Sequence, residues 1–222
     1  MKGIFITGTD TDAGKTYVAS LLARSLVAQN YSVTPRKPVE SGCQKEGSRL
    51  IPSDALQLMQ SSHYKGTIEE VCPFSFAPAI SPERAAELAG TPVHLQQLVS
   101  ACRLEQSSAA DFLLVEGAGG IYSPICTGAL NIDLAEELAL PVLLVTNNKV
   151  GCINHTLLSL EAINNKHLSI AGIILNQVSS RNSSVDSFNL HDIQSRTNIP
   201  VYSLEHHSLS FPDALLKSIV QQ

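Results

Sequence analysis

The chain has 222 residues, of which 44% are hydrophobic and 16% charged, and carries a formal net charge of −5. That is enough apolar material for one sizeable core, so a single domain over residues 1–222 is expected. The acidic balance argues against general affinity for nucleic acid or anionic membrane surfaces, and no apolar run reaches the roughly 18 residues of a membrane span.

In chain order, the apolar run Ile4–Thr7 predicts a strand, and 15–29 predicts a helix whose Val18, Leu21, Leu22 and Leu26 form one buried stripe. Ser32–Lys37 predicts a second strand, although Pro35 suits a central strand poorly. From about 40 to 107 the pattern weakens into an elaborated crossover with shorter helices at 53–61, 82–89 and 94–106. Strands follow at Phe112–Val115, Val142–Thr146, Ile170–Leu175 and Val201–Leu204, with a helix over 153–166. Strands alternating with helical patterns predict a doubly wound, mostly parallel sheet in an α/β fold. The polar segment Ser179–Ser187 is expected to be a mobile loop.

The strongest chemical signal is Gly8-Thr9-Asp10-Thr11-Asp12-Ala13-Gly14-Lys15-Thr16, set between the first strand and the first helix. Backbone N–H groups at a helix N-terminus face phosphate, Lys15 adds positive charge, and the Thr16 hydroxyl can ligate Mg²⁺. The spacing departs from the common P-loop: Gly8 lies one residue further from Gly14, and Thr9 takes the expected glycine position. The run Val115-Glu116-Gly117-Ala118-Gly119-Gly120 places a carboxylate at a strand's carboxyl end, where α/β sheets bind ligands. Glu116 there can complete a Mg²⁺ shell, and the small residues allow the backbone to approach a phosphoryl group, although an ordinary glycine turn also fits. Lys37 closes the second strand at the same rim, where a second ammonium would offset developing negative charge. Ser53-Asp54 reads as the capped start of a helix, with Asp54 both a first-turn anion and a metal-ligand candidate.

Gly151-Cys152-Ile153-Asn154-His155-Thr156 opens a helix whose free N–H groups can hold a carboxylate, and ordinary helix initiation competes with that reading. Cys152 and His155 lie three apart with no third orienting group, which argues against a thiol nucleophile. The five cysteines, Cys43, Cys72, Cys102, Cys126 and Cys152, are odd in number and form no C-x-x-C pair, as expected of reduced thiols in a cytoplasmic protein. The pair His206-His207 lacks partners at metal-ligand spacing and is expected on a surface or loop.

Taken in order, the loop Gly8–Thr16, Lys37-Pro38-Val39-x-Ser41-Gly42, Ser53-Asp54-Ala55, Val115–Gly120, Leu140-Pro141-Val142 and Gly151–His155 resemble the ATP-dependent dethiobiotin synthetase family, over about residues 3–176. The resemblance implies a P-loop NTPase fold and ring closure of 7,8-diaminononanoate with CO₂ (or bicarbonate) and MgATP, giving dethiobiotin, ADP and phosphate through a carbamate and a carbamic-phosphoric anhydride. It implies nucleotide contacts from Asp12, Ala13, Gly14, Lys15, Thr16, Tyr17, Asp54, Glu116, Gly117, Ala118, Gly119, Asn176 and Gln177, with Asn176 reading adenine. Thr16, Asp54 and Glu116 would arrange Mg²⁺, and Lys15 and Lys37 would stabilise the transferring phosphoryl group. Thr11, Ser41 and Gly119 would line the diamine and carbamate. Gly151, Cys152 and Asn154 would bind the substrate carboxylate from a partner subunit, which implies a homodimer. Asp12 stands where a glutamate is common in the family, and the tail after Asn176 matches poorly.

Two other readings compete. A partitioning or cell-division type nucleotide switch would carry a second lysine near the start of the loop, where this chain has Asp10, and often a basic or membrane-binding surface. A related ATP-dependent amide-forming synthetase would need ammonia or a glutamine-hydrolysing domain, for which 222 residues leave no room.

Overall fold

The computed structural model describes residues 2–103, 111–180 and 186–221. In chain order its elements are β1 (Lys2–Gly8), α1 (Lys15–Ala28), β2 (Val33–Arg36), β3 (Val39–Ser41), β4 (Gln44–Glu46), β5 (Arg49–Ile51), α2 (Ser53–Ser61), α3 (Ile68–Val71), β6 (Phe74–Phe76), α4 (Pro82–Leu88) and α5 (Leu95–Cys102). Then follow β7 (Phe112–Gly120), β8 (Pro124–Cys126), β9 (Ala129–Leu130), α6 (Asn131–Leu138), β10 (Val142–Asn147), α7 (Cys152–Asn165), β11 (Ile170–Asn176), α8 (Asp186–Gln194), β12 (Val201–Leu204) and α9 (Asp213–Gln221).

Six strands form the main sheet in the order β12-β11-β10-β1-β7-β2, and each neighbouring pair is parallel. Successive residues of these strands point to opposite faces, and both faces are covered, so the strands are apolar at nearly every position. Ile4, Ile6, Leu114, Leu143, Val145 and Ile174 pack with Leu21, Leu22 and Leu26 of α1 and with Leu215 and Ile219 of α9. Phe5, Leu113, Val115, Leu144, Ile173 and Leu175 face the other way, onto Leu98 of α5, Ile132 of α6 and Leu160 and Ile163 of α7. The chain leaves β1 in one direction towards β7 and β2 and in the other towards β10, β11 and β12. The order therefore reverses beside β1, which is where a doubly wound sheet opens its ligand crevice.

The expected parallel α/β architecture is present, and several details differ from the sequence reading. Pro35 does lie within β2, paired with Leu114, but β2 is the sheet's edge strand, where a missing N–H is tolerated. The strand expected to stop at Val115 continues as β7 to Gly120, because Gly8 and Gly120 pair beyond an irregularity in the β1–β7 register. The crossover between β2 and β7 also contains the small parallel pair β3–β6 and the exposed hairpin β4–β5, which are too short to leave a periodic signal. Of the helix predicted over 94–106, α5 accounts for Leu95–Cys102, and 104–106 lie outside the described residues. So do 181–185 of the segment expected to be a loop. Among the described residues no disulfide joins the five cysteines, all of which are buried, and burial pushes the Cys43 and Cys126 thiols up to about 11. No helix among the described residues is long and apolar enough to cross a membrane.

The buried stripe of α1 is expected to dominate stability. Leu22→Ala, at a fully buried site, should cost about 2–5 kcal/mol, whereas Leu88→Ala, at an exposed one, should stay within about 0.5 kcal/mol. Thermal unfolding of the two variants measures the contrast.

Candidate active site

The loop between β1 and α1 wraps the carboxyl end of the central strand. Its left-handed residues are Asp12 (φ 58°) and Gly14 (φ 88°), and Gly14 is the residue that starts α1 without a side-chain cap. A Cβ on Gly14 would lie 2.1 Å from Asn176 Nδ2, so both backbone conformation and close packing require glycine there. At position 9, where the common motif has glycine, the Thr9 N–H donates to Val145 O (2.9 Å) and its hydroxyl to Thr146 Oγ1 (3.2 Å). Those bonds fasten the start of the loop to β10, in a conformation that a side chain accepts.

The charged groups meet on one side of this loop. Lys37 is buried (3% exposed), and its ammonium donates to Glu116 Oε1 at 2.6 Å and to Gly117 O at 3.1 Å, with Asp54 Oδ2 at 3.3 Å. Thr16 Oγ1 donates to the same Glu116 Oε1 at 2.8 Å. Burial works against the Lys37 charge, but Glu116 and Asp54 outweigh it and hold its pKa above the usual lysine range. Lys15, whose Nζ donates to Asp10 O at 3.1 Å, lacks so close a carboxylate, and burial followed by the charge of Lys37 lowers its pKa to about 8. Glu40 is 4% exposed; burial, then the neighbouring Asp54, raise its carboxyl above the usual range.

Glu116 is fully buried, and its second oxygen, Oε2, has no hydrogen-bond partner among the described residues. An orphaned carboxylate oxygen beside a threonine hydroxyl and a second carboxylate, Asp54, fits a magnesium ion or one of its waters. Among the described residues no group of three or more His, Cys, Asp or Glu side chains could hold a metal ion. The Thr16, Asp54 and Glu116 set therefore offers only part of a shell, which suits an ion that arrives with phosphate oxygens.

The small residues after Glu116 are held from behind by Asn131 at the start of α6. Its Nδ2 donates to Gly120 O (2.9 Å) and to Ala118 O, and its Oδ1 accepts from Ala118 N–H (3.0 Å). Ser123 Oγ accepts from Gly120 N–H at 2.9 Å. These bonds make a braced strand end, not an ordinary glycine turn, and present Ala118 and Gly119 to the cleft.

The cleft encloses about 460 Å³ and is lined by Thr11, Asp12, Gly14, Lys15, Thr16, Tyr17, Lys37, Ser41, Asp54, Ala118 and Gly119, together with Glu40, Ser123 and the segment Ala79–Pro82. Its size is within the range of small-molecule sites. Of the other residues singled out from sequence, Ala13, Glu116 and Gly117 lie buried behind its wall. Asn176 is beneath the loop, where Nδ2 donates to Ala13 O (3.0 Å) and Oδ1 is buried without a partner among the described residues. Gln177 accepts from Asn148 Nδ2 (3.0 Å) and donates to Ser179 O (3.1 Å), next to His206, whose Nδ1 lies 3.3 Å from Gln177 O. Gly151, Cys152 and Asn154 start α7 and do not line the cleft: Cys152 is buried, and Gly151 and Asn154 are exposed.

Two residues were not found from the sequence. Asn131 gives no sign before its partners on β7 are known. Glu40 left a fainter trace, because Ser53-Asp54 reads as a self-capped helix start and the structure corrects this. The cap position of α2 is Pro52, which has no side-chain acceptor, and Glu40 takes the N–H groups of Asp54 (3.1 Å) and Ala55 (3.0 Å). A proline at the cap position with an unassigned acid upstream was the available signal.

A strand–loop–helix at the switch point of a parallel sheet, with two lysines converging on it, defines a P-loop nucleotide-binding protein. The chain matches a family model described as an AAA domain over residues 2–203. It is 39% identical to the ATP-dependent dethiobiotin synthetase of Halalkalibacterium halodurans over 99% of this chain and 92% of that one. It is 41% identical to that of Pseudomonas aeruginosa strain PAO1 over 90% and 87%. Among solved structures, the MinC:MinD cell division protein complex of Aquifex aeolicus (13% identity, TM-score 0.54, covering 100% of this chain and 86% of that one) shares the fold. So does a ParA family ATPase of Chlorobium tepidum (13%, 0.54, 99% and 89%). The chain belongs to the ATP-dependent dethiobiotin synthetase family, a family of ATP-dependent ligases.

Gly14→Ala is expected to weaken ADP binding at least about tenfold, since the new methyl must displace Asn176 or shift the loop and the left-handed backbone adds about 1–2 kcal/mol of strain. Calorimetric titration with ADP measures this, and an unchanged affinity would show that the loop yields without loss.

Proposed function

We propose that this chain, as one domain over 1–222, closes 7,8-diaminononanoate and CO₂ into dethiobiotin at the expense of MgATP. The observation that carries the reading is the meeting of Lys15, Lys37, Thr16 and Asp54 in one cleft, with buried Glu116 behind them. Family membership supplies the substrates, and the cleft is chemically suited to them.

The reaction needs no protein nucleophile. An amine of the substrate combines with CO₂ to form a carbamate, a carbamate oxygen attacks the γ-phosphorus, and ADP leaves. The second amine then attacks the carbamic carbonyl carbon and inorganic phosphate departs, closing the cyclic urea. What the protein must supply is alignment and balancing positive charge. Lys15, from the start of α1, and Lys37, from just past β2, serve that role, and exclusion of water from the site strengthens their attraction for phosphate oxygens. Thr16, Asp54 and Glu116 would hold the magnesium ion, which when bound neutralises phosphate oxygens.

In this reading Thr11, Ser41 and Gly119 contact the diamine and carbamate, and all three line the cleft. Ser41 Oγ donates to Ile80 O at 2.6 Å, which leaves its lone pairs for an amine or carbamate N–H. Asn176 and Gln177 take the adenine end, where the buried Oδ1 of Asn176 suits an exocyclic amine. Gly151, Cys152 and Asn154 serve the substrate carboxylate of a second subunit in a homodimer; their absence from this chain's own cleft supports that division. A cell-division type switch finds less support, since the loop has Asp10 where such proteins have a lysine.

Incubation with diaminononanoate, bicarbonate and MgATP should release a cyclic urea in step with ADP; ADP release without the urea would reject the reading. Lys37→Gln should cut kcat about 100-fold or more and change the KM for ATP far less, as expected of a charge acting on the transition state. A raised KM with kcat unchanged would instead assign Lys37 to ground-state binding.

A further inference from the structure

Helix α2 carries Asp54 but cannot close its own N-terminus. Its cap position is Pro52, which makes no side-chain cap bond, and the Ser53 hydroxyl donates to Glu40 Oε1 at 3.4 Å. The first-turn donors, Asp54 N–H and Ala55 N–H, go to Oε1 and Oε2 of Glu40, at 3.1 and 3.0 Å. These are the second and third positions of the helix, the two donors that an N-cap side chain satisfies. Glu40 lies in β3, three residues after Lys37, so one carboxylate joins the segment that supplies Lys37 to the turn that supplies Asp54. Lys37 Nζ and Asp54 Oδ2 stand 3.3 Å apart across that junction.

Among the described residues Glu40 is the acceptor for these two N–H groups; the turn's other ties are the Lys37–Asp54 ion pair and Ala55, which is buried against Val71 and Cys72. The covalent path from Glu40 to Asp54 runs through the exposed hairpin β4–β5. The rest of α2 is held independently, by Leu58 in the core shared with α1 and by Gln57 Nε2 donating to Ser20 Oγ at 3.1 Å. Loss of Glu40 would therefore free the Asp54 and Ala55 N–H groups while the helix stays in place. Glu40 lines the cleft and so could instead contact substrate. However, it is 4% exposed and its two oxygens already take three donors, which leaves little acceptor capacity for a ligand.

We propose that Glu40 is a positioning residue: it caps α2 from another segment and so sets Asp54 at the distance from Lys37 and Thr16 at which magnesium-bound nucleotide is held. This rests on the reading of Asp54 as a magnesium ligand. The acid is also electrostatically matched to its place, since a carboxylate at a helix N-terminus is favourable.

The test compares Glu40→Ala with Glu40→Ala/Pro52→Ser, in which a serine at the cap position can take over the same two donors locally. The first readout is amide hydrogen exchange of Asp54 and Ala55 in nucleotide-free protein. Exchange should be about fivefold or more faster in the single variant and recover in the double one. The second is the Mg²⁺ concentration giving half-maximal turnover with ATP, diaminononanoate and bicarbonate. It should rise about tenfold in the single variant, with a smaller change in kcat at saturating Mg²⁺, and fall back in the double variant. Should Glu40→Ala fold poorly, Glu40→Gln serves: one acceptor remains, so only one of the two amides should lose protection. Unchanged exchange at both amides in Glu40→Ala overturns the proposal. So does a double variant that regains amide protection without regaining the Mg²⁺ response, which would mean that Glu40 meets substrate or metal itself. An Asp54→Asn variant with an unaltered Mg²⁺ requirement would instead overturn the reading of Asp54, and the metal half of the proposal with it, while the exchange data would still decide the capping role.

Discussion

Lys37 and Glu116 are opposite charges removed from water at the rim of the sheet, 2.6 Å apart, and the cleft is organised around keeping them together. Desolvating two such ions costs several kcal/mol each, which their attraction roughly offsets, so the pair adds little net stability. Removing one partner is different: the stranded charge costs about 3–5 kcal/mol. The pair is therefore better understood as a fixed arrangement than as a source of stability. It holds an ammonium in place before any phosphate arrives, and Gly117 O, Thr16 Oγ1 and Asp54 supply the further contacts that a buried pair needs.

That arrangement depends on segments far apart in the chain. Lys15 comes from the start of α1, Lys37 from just past β2, Asp54 from α2 and Glu116 from within β7. The parallel sheet brings the carboxyl ends of β1, β2 and β7 to one rim, and the order reversal beside β1 opens the space between them. Secondary bonds then fix each piece: Asn131 braces the strand end after Glu116, and Thr9 ties the loop to β10. The site is made of short, locally determined segments, and their relation is set by the sheet.

Much of this was legible in the sequence. The parallel α/β fold could be read because β1, β10 and β11 are buried on both faces and so appear as unbroken apolar runs, and α1 shows its stripe at helical spacing. The phosphate loop could be read because its chemistry is local. Pro35 seemed awkward only because sequence does not say which strand lies at an edge. β7 was cut short because a glycine-rich strand end looks like a turn until its partner, Gly8, is known. Glu40 and Asn131 were missed for a common reason: each satisfies backbone groups more than ten residues away, and no periodicity records such a bond.

The edge position of Pro35 also bears on how the molecule behaves in a crowd. An outer strand normally offers a row of vacant amides and carbonyls to any other chain that can pair with it. Pro35 has no amide to offer, and its carbonyl accepts from Arg36 Nη1 at 2.9 Å, while Arg36 Nε donates to Ala101 O at the end of α5. At its midpoint β2 thus withdraws both backbone polar groups from that rim. All four residues of β2 are also buried, so this rim lies beneath the chain's own segments and presents no template for extending the sheet.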